Sequence, residues 1–185
     1  MSPRRNWTVA ARLSLGFGLM IVFMAVIGAA ALWALDRSAK SLATIYEDRT
    51  IPLAQLGRFQ YLAGRDRMVL MDAAMFPEPG RVAKRLKEYA ANRAESKTLW
   101  TAYRATFLTP DEIKLADQTE ARGAAMVTQL LQPVADALGA GQPETARKLL
   151  GDTIGTVTPA FNESMQALIE LQSRVAAQER THADQ

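Results

Sequence analysis

The chain has 185 residues, room for one ordinary domain or one domain plus a membrane anchor. Its 49% hydrophobic content is too high for a disordered chain, and its 22% charged content is too high for a protein made only of spans. Cysteine is absent and His182 is the single histidine. Disulfide scaffolds, thiolate metal sites, thiol nucleophiles and histidine-based catalytic or metal constellations are thereby excluded.

Arg4, Arg5 and Arg12 precede a long apolar run, and no acidic residue does; they account for the whole net charge of +3. The remainder is balanced, so no basic face for nucleic acid is expected. Leu13–Leu35 holds no charged residue over 23 positions. As a helix it would be about 34 Å long, enough to cross a hydrocarbon core of about 30 Å. Trp7 and Trp33 stand near its ends, where indole rings favour the interface. Gly16, Gly18 and the small run Gly28–Ala31 suit close helix contact. The basic tail (1–12) predicts a cytoplasmic N-terminus, with everything after Asp36 outside the membrane, in the periplasm of a Gram-negative cell. Ala29-Ala30-Ala31 could serve as a signal-peptidase site, but 23 apolar residues exceed the 7–15 of a signal peptide, so an uncleaved anchor (13–35) is expected.

The rest (36–185) is expected to form four helices. The first spans about 36–75, continuous with the anchor, with Leu42, Ile45, Tyr46, Leu53, Leu56, Phe59, Leu62 and Leu70 at helical spacing and Pro52 as a kink. Pro77-Glu78-Pro79-Gly80 ends it. The second spans about 81–108, with Val82, Leu86, Tyr89, Trp100, Tyr103 and Phe107 as its core stripe. Thr109-Pro110-Asp111-Glu112 carries the elements of a capping box and starts the third, about 110–138, whose seam includes Ile113, Ala116, Gly123, Val127, Leu130 and Val134. Gly139-Ala140-Gly141-Gln142-Pro143 separates it from the fourth, about 143–183, with Leu150, Ile154, Phe161, Met165 and Leu168 in its seam. Pro133 and Pro159 predict local kinks. No segment alternates with period two, so no sheet is expected. Short loops make neighbouring helices antiparallel: an all-α, up-down-up-down four-helix bundle following a transmembrane helix. The fourth helix should return to the membrane near Thr181–Gln185, where a second span is expected; a longer receptor is one reading and a one-span protein the other.

The basic tail, the span and then Ile45-Tyr46-Glu47-Asp48-Arg49-Thr50-Ile51-Pro52-Leu53-Ala54-Gln55-Leu56 resemble the start of the four-helix-bundle sensor domain of methyl-accepting chemotaxis receptors. Tyr-x-Asp-Arg-x-x-Pro-Leu-x-x-Leu is the specific part, and helices of matching length extend the likeness over nearly the whole chain. The resemblance implies an inner-membrane, extracytoplasmic sensor that dimerises through its first helix. It also implies a small-molecule ligand, often an organic acid or amino acid, bound far from the membrane. In the aspartate and serine receptors of this family, helix-one arginines of both subunits and a helix-four threonine hold the ligand. A second span, a HAMP linker and a signalling hairpin are further implied. Histidine kinases and nucleotide cyclases also carry this sensor, and some receptors sense through a ligand-loaded periplasmic binding protein.

Independently, Arg67, Arg65 and Arg58 lie 8, 10 and 17 residues before Met75. Counting the same depth from Pro143 reaches Thr153 to Ala160. The three arginines should therefore share a height with Asp152, Thr153, Thr156, Thr158 and Asn162. Guanidinium forks take carboxylates, and hydroxyls or amides take the remaining groups. Arg58, Arg65, Arg67, Thr153, Thr156 and Asn162 are the candidate ligand residues, with Arg58 the leading one; solvated surface pairing of the same charges is the competing explanation. Met68, Met71 and Met75 read as soft packing rather than a metal site. No nucleophile–base pair, phosphate loop or metal cluster is present, so neither an enzyme nor a cofactor is expected. A membrane-anchored bundle that docks a partner protein is the other functional reading.

Overall fold

Apolar patterning with two strong turn signals produces helices throughout the residues that the computed structural model describes, 9–45 and 50–183, with the side chains of 13–37 and 50–178. The helices are α1 (Val9–Ile45), α2 (Ile51–Met75), α3 (Pro79–Arg104), α4 (Pro110–Met126), α5 (Gln132–Gly139) and α6 (Pro143–Ala183). No strand occurs among the described residues. Residues 1–8 of the basic tail with Trp7, the Arg12 side chain, the Tyr46–Arg49 part of the motif, the continuity of the first two helices and the His182 side chain lie outside the described residues. The chain divides into two units, Met1–Thr44 and Ile45–Gln185.

In the first unit, Leu13–Arg37 has a mean hydropathy of 2.5, long and apolar enough to cross a membrane. Its described side chains are all exposed. A helix satisfies its own backbone hydrogen bonds, so such a surface suits hydrocarbon. The Arg37 guanidinium lies 5.5 Å over the Trp33 ring, at the end where the charge resumes.

The second unit is an antiparallel bundle of four rods: α2, α3, the path α4 to α5, and α6. Pro52 occupies the first turn of α2, where no donor is missed. Helix α3 starts at Pro79, two residues earlier than the turn signal suggested, because proline suits the first helical position. It ends at Arg104 rather than Leu108. The Thr106 hydroxyl donates to the Tyr103 carbonyl at 2.7 Å and the chain then extends to Thr109, leaving Phe107 67% exposed instead of in the core. At Thr109 the capping box is complete: its hydroxyl accepts from the Glu112 amide at 3.3 Å, and Glu112 accepts from the Thr109 amide at 2.6 Å. Ile113, expected in the seam, is exposed.

Pro133 is accommodated by a wider turn. Residues Val127–Leu131 are π-helical, and the Gln132 amide donates to Val127 five residues back. The ladder has already changed register where Pro133 can donate nothing. Gly141, at φ 70°, closes α5: Gln142 N–H donates to Ala137 O at 2.8 Å and Gly141 N–H to Leu138 O at 3.1 Å. Pro159 stands inside α6, leaving one intrahelical bond unmade.

The core runs the length of this unit through Leu56, Leu70, Tyr103, Met126, Leu130, Phe161, Met165 and Leu168. Each such burial contributes about 1.5–3 kcal/mol. At mid-height Phe59 lies against Trp100 and Phe161, with ring centroids 5.1 and 6.2 Å apart. Gly123 faces the Phe161 ring, where an added Cβ would stand at ordinary contact distance, 3.4 Å.

Candidate functional site

Two contacts fix α2 against α6. The Arg147 guanidinium donates to the Ala74 carbonyl at 2.5 Å, and Phe59 meets Phe161 lower down. Interpolation sets Arg67 level with about Ile154 and Arg58 level with about Asn162, within a few residues of the heights obtained by counting along the sequence. Facing is a separate matter. At about 100° per residue, Thr158 and Asn162 share the side of α6 from which Arg147 reaches α2. Thr153 and Thr156 lie about 120° and about 180° around the helix from Arg147. Thr156 donates its hydroxyl to Thr153 O at 2.8 Å and is exposed, as is Asn162. The Thr158 hydroxyl is buried with no hydrogen-bond partner.

Arg58 and Arg65 turn toward α3. Arg58 donates to both Glu95 oxygens, at 2.7 and 3.0 Å, and its guanidinium lies 5.1 Å over the Tyr61 ring. Arg65 donates to Glu88 at 2.6 Å. Asp72, one heptad further on, accepts from Arg81 at 2.5 Å and from Arg85 at 2.6 Å. These bonds hold the Asp72 carboxyl well below the usual carboxylate range, Arg81 ahead of Arg85. Positions 58, 65 and 72 thus meet 95, 88 and 81 in one antiparallel register. Heptad-spaced charges flank the contact between α2 and α3.

Arg67 differs from these. It sits on the α6 side of α2 and has no carboxylate partner among the described residues. Its Nη1 lies 3.9 Å from the Met126 sulfur. Burial pushes its guanidinium pKa down, because the charge is desolvated without compensation.

One further feature of α2 went unrecognised in the sequence. Gly57, Tyr61, Gly64, Met68, Met71 and Met75 are spaced four, three, four, three and four residues apart, and they line the outer face. Met68 and Met75 are 62% and 61% exposed, so the methionines are not packed within this chain as expected. The spacing itself was the available signal; the apolar pattern of the inner face, at similar spacing, masked it. The described residues contain no group of three or more His, Cys, Asp or Glu able to hold a metal.

A family model described as Tar ligand binding domain homologue, TarH, matches residues 3–176. The chain belongs to the TarH family. The match covers the apolar helix and nearly all of the bundle, and TarH domains are the ligand-binding domains of chemoreceptors. They are sensory rather than catalytic. No curated protein and no solved structure matches the chain. TarH membership and one helix able to cross a bilayer fit a sensor domain carried by a membrane protein.

Proposed function

We propose that this TarH domain is the extracytoplasmic sensor of an inner-membrane chemoreceptor and binds a small organic acid or amino acid through Arg67. The supporting observation is the contrast among the arginines of α2. Arg58 and Arg65 are matched by Glu95 and Glu88, whereas Arg67 is half-buried with no acid beside it among the described residues. A desolvated guanidinium without a carboxylate is unfavourable alone and favourable once one arrives. Thr158, about one helical turn lower on the facing side of α6, carries an unpartnered hydroxyl for the remaining ligand groups. Asn162 lies further down that face. Thr153 and Thr156 share the height from the other side of α6 and would contribute only after rotation of that helix.

The exposed heptad face of α2 supports a homodimer along Gly57–Met75, which would cover the methionines and bring the arginine bands of two copies together. Arg58 and Arg65 follow Gly57 and Gly64 directly, so a ligand between subunits would meet them by exchange for Glu95 and Glu88. Binding would then favour one packing of α6 against α2 over another, and that shift would pass through the span to an output module. A ligand moves such an equilibrium only by its differential affinity for the two states.

The test is thermal unfolding of the full chain in detergent micelles against a panel of mono- and dicarboxylates and amino acids. A ligand for the folded state raises stability by about 2.7 kcal/mol at 100 times its dissociation constant. A shift with one acid, absent in Arg67→Ala, is the expected result. A panel without any shift would count against direct sensing and favour a ligand-loaded periplasmic binding protein as partner.

A further inference from the structure

Helix α3 contacts α5 near the tip and meets α4 through the Arg104–Asp117 ion pair, at 2.6 Å, near the opposite end. Between these points α3 and α4 part, and the space left is a cavity of about 580 Å³. Small-molecule sites run about 300–1,000 Å³. Phe59, Trp100 and Phe161 supply its aromatic walls, with Met126 beside them. Ser96 from α3 and Thr119 from α4 also line it, each 1% exposed, and neither hydroxyl has a hydrogen-bond partner. The Trp100 indole N–H is buried and unpartnered as well.

Three unpartnered polar groups around one cavity need explanation, since a buried hydroxyl without a partner costs about 1–3 kcal/mol. The lip carries Lys97 and Arg93 on α3 against Glu120 on α4. Arg93 approaches the buried Asp66 only to 3.8 Å, beyond hydrogen-bond reach. The lip is thus cationic on its α3 side, the interior is aromatic, and the depth offers hydroxyls.

We infer that this cavity between α3 and α4 is a binding site for a monocyclic aromatic carboxylate bearing a ring hydroxyl. The ring lies among Phe59, Trp100 and Phe161, where offset and tilted contacts are favourable. The carboxylate meets Lys97 at the lip. The ring hydroxyl exchanges hydrogen bonds with Ser96 and Thr119. The site lies within one chain and does not depend on the Arg67 reading.

The test uses the full chain in micelles, labelled with 5-fluorotryptophan and followed by fluorine NMR, with Trp100 assigned from Trp100→Phe. The probes are 4-hydroxybenzoate, benzoate and cyclohexanecarboxylate. The expected result is a saturable shift of the Trp100 resonance with 4-hydroxybenzoate, with those of Trp7 and Trp33 unmoved. Lys97→Glu should weaken binding about tenfold or more through charge reversal. Ser96→Ala with Thr119→Val should weaken 4-hydroxybenzoate more than benzoate. Circular dichroism checks the fold of each variant; if the buried double variant does not fold, Lys97→Glu, on the exposed lip, still decides. The proposal is overturned if Trp100 does not shift in folded protein, or if Lys97→Glu leaves the shift intact. Equal binding of cyclohexanecarboxylate overturns it as well.

Discussion

The two sides of α3 are built differently. Toward α2, charge is matched with charge: Arg58 with Glu95, Arg65 with Glu88, and Asp72 with Arg81 and Arg85. Toward α4, the Arg104–Asp117 ion pair stands near the end of a cavity lined with rings and unpartnered hydroxyls. The lesson is that arginine on a bundle helix does not by itself mark a ligand site. A better pointer is an unpartnered polar group beside a cavity or a facing helix. Arg67 and Thr158 meet that description between α2 and α6, and Ser96 and Thr119 meet it between α3 and α4.

The largest effect is expected where the open side rests on the core. Phe161 is buried and floors the cavity. Phe161→Ala should destabilise by about 3–5 kcal/mol in chemical unfolding, since the cavity would deepen without filling. A loss well under 1 kcal/mol would show that the rings around the cavity are not part of the cooperative core.

The next effect depends on pH and concerns Asp66, a carboxylate on α2 that the charge ladder does not match. Asp66 is 0% exposed, and no donor, the neighbouring Asn92 amide included, makes a well-formed hydrogen bond to either oxygen. Burial raises its pKa from 3.8 to about 6, against the opposing pull of the Asn92 amide and the Arg93 charge; Glu88 adds a small push upward. Between about pH 4 and about 6 the folded chain keeps a proton that the unfolded chain has released, so stability falls as pH rises. The loss approaches about 3 kcal/mol and is complete above the folded pKa. Asp66→Asn should flatten that slope in unfolding titrations at pH 4, 5, 6 and 7. An unchanged slope would place the carboxyl in a better-solvated setting than the one described.

Smaller again is the turn that joins α3 to α4. Thr109→Ala removes one half of the capping box and should cost about 1 kcal/mol, read from the denaturation midpoint. The smallest effect belongs to the exposed ladder. Arg58→Ala, Glu95→Ala and the double variant should differ only slightly in melting temperature, because both groups are solvated. A strong coupling there would reverse the comparison and make the α2–α3 ladder a main support of the bundle.

Much of the fold was legible in the sequence because it depends on local chemistry. The capping box at Thr109, the Gly141 turn and the apolar run from Leu13 each carry their signal within a few residues. Heights along the bundle were legible too, since turn positions and rise per residue fix them. Facing was not. The heptad register of α3 brings Glu95 opposite Arg58, the leading ligand candidate, a pairing that counting along α2 does not show. Phe107 fell on the aromatic stripe, yet the extension into Thr109 removed it from the helix. The cavity depends on a separation between α3 and α4, which no local pattern records; Ser96 and Thr119 are ordinary residues in the sequence.

The central claim is that Arg67 anchors a carboxylate. Titration calorimetry of the full chain with the acid that gives the largest thermal shift tests it most directly, comparing wild type, Arg67→Ala and Arg58→Ala. The account predicts that Arg67→Ala weakens binding by two orders of magnitude, about 2.7 kcal/mol, while Arg58→Ala changes it much less. Equal affinity in wild type and Arg67→Ala, with both proteins folded, would contradict it.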